Sequence, residues 1–227
     1  MHATAAMDTR LKPLEALRAV RALMANPDDT AQVFSIFRAL RGRSAINAFR
    51  RFEKSPIGAA ILRDRRVLLD TLSDRAILSA LPEGSVGRTY FEFMEEENLT
   101  ADGLVQASQE WDNDPVPADM QFYRERMRDS HDLTHTVTGY GRDPLGEMCL
   151  LAFMYAHTRN LGMAFIIGMN WLRLPKFAKA AVREAWKNGK KARWMQDMDW
   201  EAVLPRPLDE VRRECGISVP VLYRPAP

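Results

Sequence analysis

Cysteine is nearly missing from this chain of 227 residues: Cys149 and Cys215 are the only two. A disulfide framework is therefore excluded as the source of stability, and a reducing compartment is the default. Glycine and proline are scarce, at 12 and 13 positions, with no periodic repeat, which excludes collagen-like and low-complexity chains. Long apolar runs are also lacking. The most apolar stretch, Met148 to Leu172, is interrupted by His157-Thr158-Arg159-Asn160, leaving pieces of 9 and 12 residues, whereas a membrane-spanning helix needs about 20. No excess of one charge exists, since 32 basic residues face 30 acidic ones for a net +2. That balance gives no electrostatic footprint for nucleic acid, which is not expected as a partner. The N-terminus has no apolar run behind a basic start, so a secretory signal is not indicated. Its Arg-rich pattern with Leu14, Leu17 and Met24 fits an ordinary first helix better than an organelle transit peptide.

What is present is core material. Hydrophobic residues make up 46% and charged residues 27%, the composition of a globular chain with one sizeable core, and the length suits one domain. The charge is segregated: residues 1–75 hold 14 basic and 8 acidic side chains, residues 83–120 hold 1 and 10, and residues 121–227 hold 17 and 12. Between Arg173 and Arg193, eight Lys or Arg stand against the single Glu184. An acidic middle between basic flanks implies faces that meet different neighbours.

Helical periodicity dominates and strand alternation is hard to find, so the spacing predicts an all-α, single-domain bundle over 1–227, with an N-terminal helical extension at 1–28 and a tail at 219–227. Val33, Phe34, Phe37 and Leu40 share a face, after a cap at Asp29-Thr30 and before a stop at Gly42. Ser55-Pro56 reads as N-cap and first-turn proline of a helix to about Arg66. Pro82 to Ser85 leads into a helix with Val86, Tyr90, Phe93 and Met94 on one face. Thr100 is placed to cap a helix containing Leu104, Val105 and Trp111, and Asp112 to Ala118 reads as a loop. A helix from about Asp119 carries Phe122, Tyr123 and Met127 towards His131. Asp143-Pro144 opens a long apolar helix expected to run through Trp171, Leu174-Pro175 opens a basic one, and Asp209 to Arg213 forms a short last one before Gly216.

The chemistry concentrates in one place. His131 and His135 are four residues apart and share a helix face, and Asp132 reaches the same side. The following segment, Thr138-Gly139-Tyr140-Gly141-Arg142-Asp143-Pro144-Leu145-Gly146, cannot continue the helix, so the chain turns back and lets Glu147 approach. Two imidazoles and two carboxylates suit one divalent ion of borderline hardness: zinc, or iron or manganese. Closed structural zinc sites commonly use cysteine, whereas this mixed set leaves room for an open, catalytic position. A surface hydrogen-bond cluster has the same spacing. The zinc-protease motif requires Glu after the first His, where Asp132 stands, and the separated phosphohydrolase pattern requires an upstream histidine, where only His2 is available.

His131-Asp132-x-x-His135, eleven residues and Glu147 resemble the signature of the coenzyme Q (ubiquinone) biosynthesis protein four family. Leu81-Pro82-x-Gly84-Ser85-x-Gly87-x-x-Tyr90 with Phe93-Met94 is similar to that family's loop and helix. The Thr138 to Glu147 segment resembles its metal loop, and Trp200-Glu201 with Pro207-Leu208-x-Glu210-Val211-Arg212 its C-terminal part, so the likeness covers about residues 30–218. The resemblance implies a helical fold holding a divalent ion, zinc by preference, through His131, Asp132, His135 and Glu147. It implies oxidative decarboxylation at ring carbon one of a polyprenylated hydroxybenzoate-type precursor, peripheral membrane attachment and association with other ubiquinone-biosynthesis enzymes. It leaves a homodimer open. The absence of a transit peptide fits a bacterial member, in the cytoplasm at the inner face of the plasma membrane. The competing class is a non-catalytic lipid-binding scaffold that holds prenylated intermediates and organises the enzymes.

Beside the ion, Arg142 and Asp143 are candidates to orient the substrate carboxylate, or else pair with each other. Tyr140 is placed to hydrogen-bond a ring oxygen or to pack, and His157 is read as a non-ligand. A prenyl tail would lie along Leu150, Leu151, Phe153, Met154, Phe165, Ile166, Ile167 and Met169, with Gly162 and Gly168 leaving room and methionines adapting to it. Such a run is more often plain core. Lys176, Lys179, Arg183 and Lys187 share helical spacing and form either an anionic-lipid contact or a solvated face.

Overall fold

The computed structural model describes residues 9–26, 31–101 and 116–225. The Thr100-capped helix with Leu104, Val105 and Trp111, and most of the loop after it, lie outside those residues. Among the described residues the only extended pairing is an isolated antiparallel bridge, Ser85 to Pro207, and the rest of the regular structure is helical. The all-α expectation holds.

Helices α1 (Pro13–Ala25) and α2 (Ala31–Leu40) pack through Ala16, Ala19, Val20, Ile36 and Ala39, and Gly42 follows with φ +51°. Helix α3 (Ser44–Lys54) leads into α4 (Pro56–Asp64), whose N-terminus is capped as the sequence predicts: the Ser55 hydroxyl accepts the Gly58 N–H at 3.0 Å. Short helices α5 (Leu68–Ser73) and α6 (Arg75–Ala80) precede α7 (Val86–Glu96), capped by Ser85 on the Arg88 N–H. Its buried stripe is Val86, Tyr90 and Met94, with Phe93 packed partly against the same cluster.

Two expected helices are divided. The helix carrying Tyr123 and Met127 ends as α8 (Ala118–Asp129), and after Ser130 a separate helix α9 (His131–Thr138) begins. The apolar helix is likewise two, α10 (Pro144–Thr158) and α11 (Leu161–Trp171). Arg159 takes the left-handed conformation at φ +54°, and the Asn160 side chain accepts the Gly162 N–H at 2.8 Å, starting a new helix. The hydrophilic interruption that splits the hydropathy is thus also the turn. Helix α12 (Lys176–Lys191) is the basic one; a 3-10 turn (Met195–Asp197), α13 (Trp200–Val203) and α14 (Leu208–Glu214) complete the chain.

The main core lies between α7, α9, α10, α12 and the C-terminal elements. Helices α10 and α12 approach so closely that a Cβ on Gly189 would stand 2.4 Å from the Phe153 carbonyl oxygen. The two similar-looking stretches around Gly84 and Pro207 meet in space: Val86 N–H donates to Arg206 O at 2.9 Å and Leu208 N–H to Gly84 O at 2.9 Å. Glu201 explains itself through Arg126, a buried guanidinium that donates to both its carboxylate oxygens at 2.8 and 2.6 Å.

Candidate metal centre

Helix α9 is short and buried from Asp132 to Thr138. Its threonines therefore need internal partners, and the Thr134, Thr136 and Thr138 hydroxyls donate to the carbonyls four residues back, at 2.7–2.9 Å. Its last carbonyls are capped from outside, Arg212 donating to Val137 O at 2.8 Å and Thr136 O at 3.2 Å. Gly139, at φ +77°, ends the helix and reverses the chain. The return is tight: a Cβ on Gly146 would sit 2.0 Å from the Gly141 carbonyl oxygen. Only glycine fits, and the close approach carries Glu147, one residue later, to the histidines.

His131, Asp132 and His135 offer ligand atoms within 4.8 Å of one another. The imidazoles stand edge to face with centroids 4.7 Å apart. Glu147 Oε1 lies 3.4 Å from His135 Nε2, and Oε2 lies 4.0 Å from His131 Nε2. His135 is the informative member. Its Nδ1 is 2.8 Å from the Tyr140 carbonyl, which can only accept, so Nδ1 carries a proton and, in the neutral ring, Nε2 is the bare nitrogen. That Nε2 is buried and no protein group hydrogen-bonds it. An imidazole oriented by a backbone carbonyl, with its other nitrogen bare and facing carboxylates, is the arrangement of a metal ligand. The residues present fit a divalent ion.

The electrostatics favour positive charge at the cluster, whether a proton on an imidazole or an ion that displaces it. Burial opposes charge on His131, but the hydrogen bond and charge of Asp132, with Glu147 beyond, raise its pKa. Burial likewise works against the ionised carboxylates, yet His131 pulls Asp132 below its ordinary value, and a proton on His135 Nε2, where an ion would otherwise sit, pulls Glu147 below its own. The cluster thus keeps its carboxylates ionised, the form that binds a cation.

The other candidates diverge. Arg142 extends towards the cluster, with Nε 3.9 Å from Glu147 Oε1. Asp143 is the N-cap of α10: its Oδ1 accepts the Leu145 and Gly146 N–H groups at 3.1 and 3.2 Å, and its Oδ2 accepts the Tyr223 hydroxyl. Tyr140 is 2% exposed, with burial raising its phenol pKa beside the Asn188 amide, while its backbone serves His135. His157 lies ten residues along α10 from Glu147, about 15 Å by helical rise, with its ring tilted against Phe153 at a centroid distance of 5.1 Å. Of the two glycines expected to leave room for a lipid, Gly168 faces open space, but Gly162 is occupied, since a Cβ there would stand 2.8 Å from the Phe37 ring. Tyr223 and Arg212 both hold the loop or helix of the site; Arg212 stands in the C-terminal motif with no role legible from it, and nothing in the sequence singles out Tyr223. No local pattern announces either contact, because their partners are about 80 residues away.

A family model described as coenzyme Q (ubiquinone) biosynthesis protein Coq4 matches residues 9–221. The chain is 33% identical over 170 residues to "Ubiquinone biosynthesis protein coq4, mitochondrial" of Talaromyces stipitatus, covering 73% of this chain and 58% of that one. It is 34% identical over 177 residues to the COQ4 homolog of Danio rerio, covering 75% and 63%. The alignments thus span about three fifths of the length of these curated relatives. A crystal structure from Nostoc punctiforme, of a protein provisionally named for ubiquinone biosynthesis, superposes with a TM-score of 0.64 at 22% identity, over 92% of this chain and all of that one. That likeness concerns the fold.

Proposed function

The chain belongs to the Coq4 family of ubiquinone biosynthesis proteins, and from that premise we propose that it is a metal-dependent enzyme acting on a polyprenylated hydroxybenzoate-type precursor. The proposed reaction removes the carboxylate at ring carbon one as CO₂ and leaves a hydroxyl in its place. This is a two-electron oxidation of the ring and consumes an external oxidant. The observation that carries the reading is the buried Nε2 of His135, without a hydrogen-bond partner in the protein and facing Glu147 at 3.4 Å. His131, Asp132, His135 and Glu147 would hold the ion, zinc by preference, with iron or manganese compatible with the same donors. When bound, it supplies a Lewis acid towards the substrate carboxylate or the neighbouring phenolic oxygen.

The chain's own groups do the rest. The Tyr140 carbonyl keeps His135 in one tautomer and orientation. Arg142, half-buried beside Glu147, presents a guanidinium able to bind and orient a carboxylate at the rim. Asp143 fixes the first turn of α10 and through it Glu147.

A precursor with a prenyl tail resides in a bilayer, and no described helix is long and apolar enough to cross one, so the proposed attachment is peripheral. Between α11 and α12 the surface carries Leu172 at 89% and Phe177 at 62% exposure, with Arg173 and Lys176 beside them. Arg183 covers the Trp171 ring at 4.9 Å, and Lys187 follows on the exposed side of α12. Basic groups around an apolar tip suit anionic lipid, at about 1 kcal/mol per basic residue near the membrane. Flotation should show binding to anionic vesicles that weakens with salt, and equal binding to neutral vesicles would remove the lipid role of this helix.

The decisive test is His135→Ala, a substitution that favours helix. Cells relying on the folded, abundant variant should accumulate a prenylated ring that retains its carboxylate. Normal ubiquinone from a stable, metal-free variant would defeat the catalytic reading and leave the scaffold function.

A further inference from the structure

The C-terminal segment reaches back over the loop that joins the two ligand-bearing helices. Tyr223 lies two residues beyond the span matched by the family model. Its side chain is nevertheless buried, edge-on to Tyr140 with ring centroids 5.6 Å apart. Its hydroxyl donates to Asp143 Oδ2 and accepts the Gly141 N–H at 3.0 Å. The segment is pinned just ahead of these bonds. Leu222 N–H and Val221 N–H donate to the Glu184 carboxylate of α12 at 2.9 and 3.2 Å. Pro220 packs on Gly139, where an added Cβ would meet its Cδ at 3.3 Å.

The two groups that the phenol joins belong to opposite halves of the metal centre. Gly141 follows directly on Tyr140, whose carbonyl orients His135. Asp143 caps α10, and its own carbonyl accepts the Glu147 N–H at 2.9 Å. One oxygen atom therefore ties the His135 half to the Glu147 half, across the loop that sets their separation. A ring needed only for packing would have no use for an oxygen at this point, since the Tyr140 contact is made by the ring.

We propose that Tyr223 is a positioning residue for the metal centre, its hydroxyl clamping Gly141 to Asp143 and so fixing the distance between His135 and Glu147. This rests on the ion-binding reading above. Groups that orient ligands from behind are worth 10–100-fold in metal affinity, and this clamp acts two bonds removed, so the lower figure applies.

The test compares the full chain with Tyr223→Phe, which keeps the ring and removes only the oxygen, using Zn²⁺ competition against a chromophoric chelator and the visible spectrum of the Co²⁺-loaded protein. Affinity should fall about tenfold and the Co²⁺ bands should move, because the ligand geometry relaxes. Glu184→Ala, which frees the segment without touching the loop, should shift both in the same direction by less. Wild-type affinity and an unchanged spectrum in Tyr223→Phe would overturn the proposal even if its melting temperature fell. If the wild-type chain binds neither ion, the metal reading itself fails. Amide exchange at Leu145 to Glu147 then decides the clamp: faster exchange in Tyr223→Phe upholds it, and unchanged exchange overturns it.

Discussion

At the beginning of α10 a buried histidine meets carboxylates; at its end another meets none. His135 has Nδ1 fixed on the Tyr140 carbonyl and Nε2 3.4 Å from Glu147. His157 rests near the Phe153 ring, and burial, followed by the charge of Arg51, pulls its pKa down to about 4. Each has a buried Nε2 with no hydrogen-bond partner in the protein. An orphan imidazole nitrogen is therefore not a site by itself. It becomes one when its other nitrogen is held and anionic donors stand opposite, and otherwise it is a neutral ring in a core.

Replacing each histidine in turn should break that comparison most visibly. Zn²⁺ affinity of His135→Ala should fall at least about 100-fold, since a direct ligand outweighs the supporting partners whose loss costs 10–100-fold, while His157→Gln should bind as the wild type does. Equal losses would mean that the two nitrogens are equivalent after all. A methyl group at Gly189 attacks only the far end, because it would strike the backbone of Phe153. Gly189→Ala should cost about 2 kcal/mol in urea unfolding and leave ion affinity unaltered.

Acid separates the two ends further. In the folded chain His157 stays neutral down to about pH 4, whereas the unfolded chain protonates it near pH 6.5. Between those values the unfolded state binds the extra proton. Stability is thus complete above about pH 6.5 and is lost as pH falls towards 4, by about 1–2 kcal/mol after allowing for partial exposure. His157→Gln should flatten that part of the stability profile, and an unchanged profile would mean that the ring is solvated. The smallest effect belongs to the turn that begins α11: Asn160→Ala should cost about 1 kcal/mol of thermal stability as the cap on Gly162 is lost.

Local chemistry was the legible part of this sequence. Ser55 and Ser85 cap where their spacing places them, and Gly139 reverses the chain so that Glu147 returns to the His131–His135 face. Each depends on neighbours within a turn or two, so one-dimensional spacing carries the information. The division at Arg159 was half legible. The polar interruption is visible, but a left-handed arginine is not, and neither is the close packing of Gly162 on Phe37, which lies more than 120 residues away in the chain. Asp143 shows the opposite limit. As a residue in the metal loop it reads as chemistry, yet its oxygens are taken by the helix it caps and by Tyr223. Arg142 leans towards Glu147 instead. Contacts between residues 75 or more apart, such as Arg126 with Glu201, leave no trace in spacing.

That last pair has a consequence for the order in which the chain is made. On a ribosome, α8 emerges long before residue 201, and until then Arg126 lacks the carboxylate that takes both its terminal nitrogens. A guanidinium without its partner is costly to bury, so the packing of α8 around Arg126 is completed only when Glu201 has been made. Arg212, which seals the end of α9, and Tyr223, which bridges its loop, arrive later still. The ligand residues precede, by about 65 residues or more, the groups that hold them in place. Synthesis halted at residue 195 should release a chain that proteases degrade readily, with both histidines already in place.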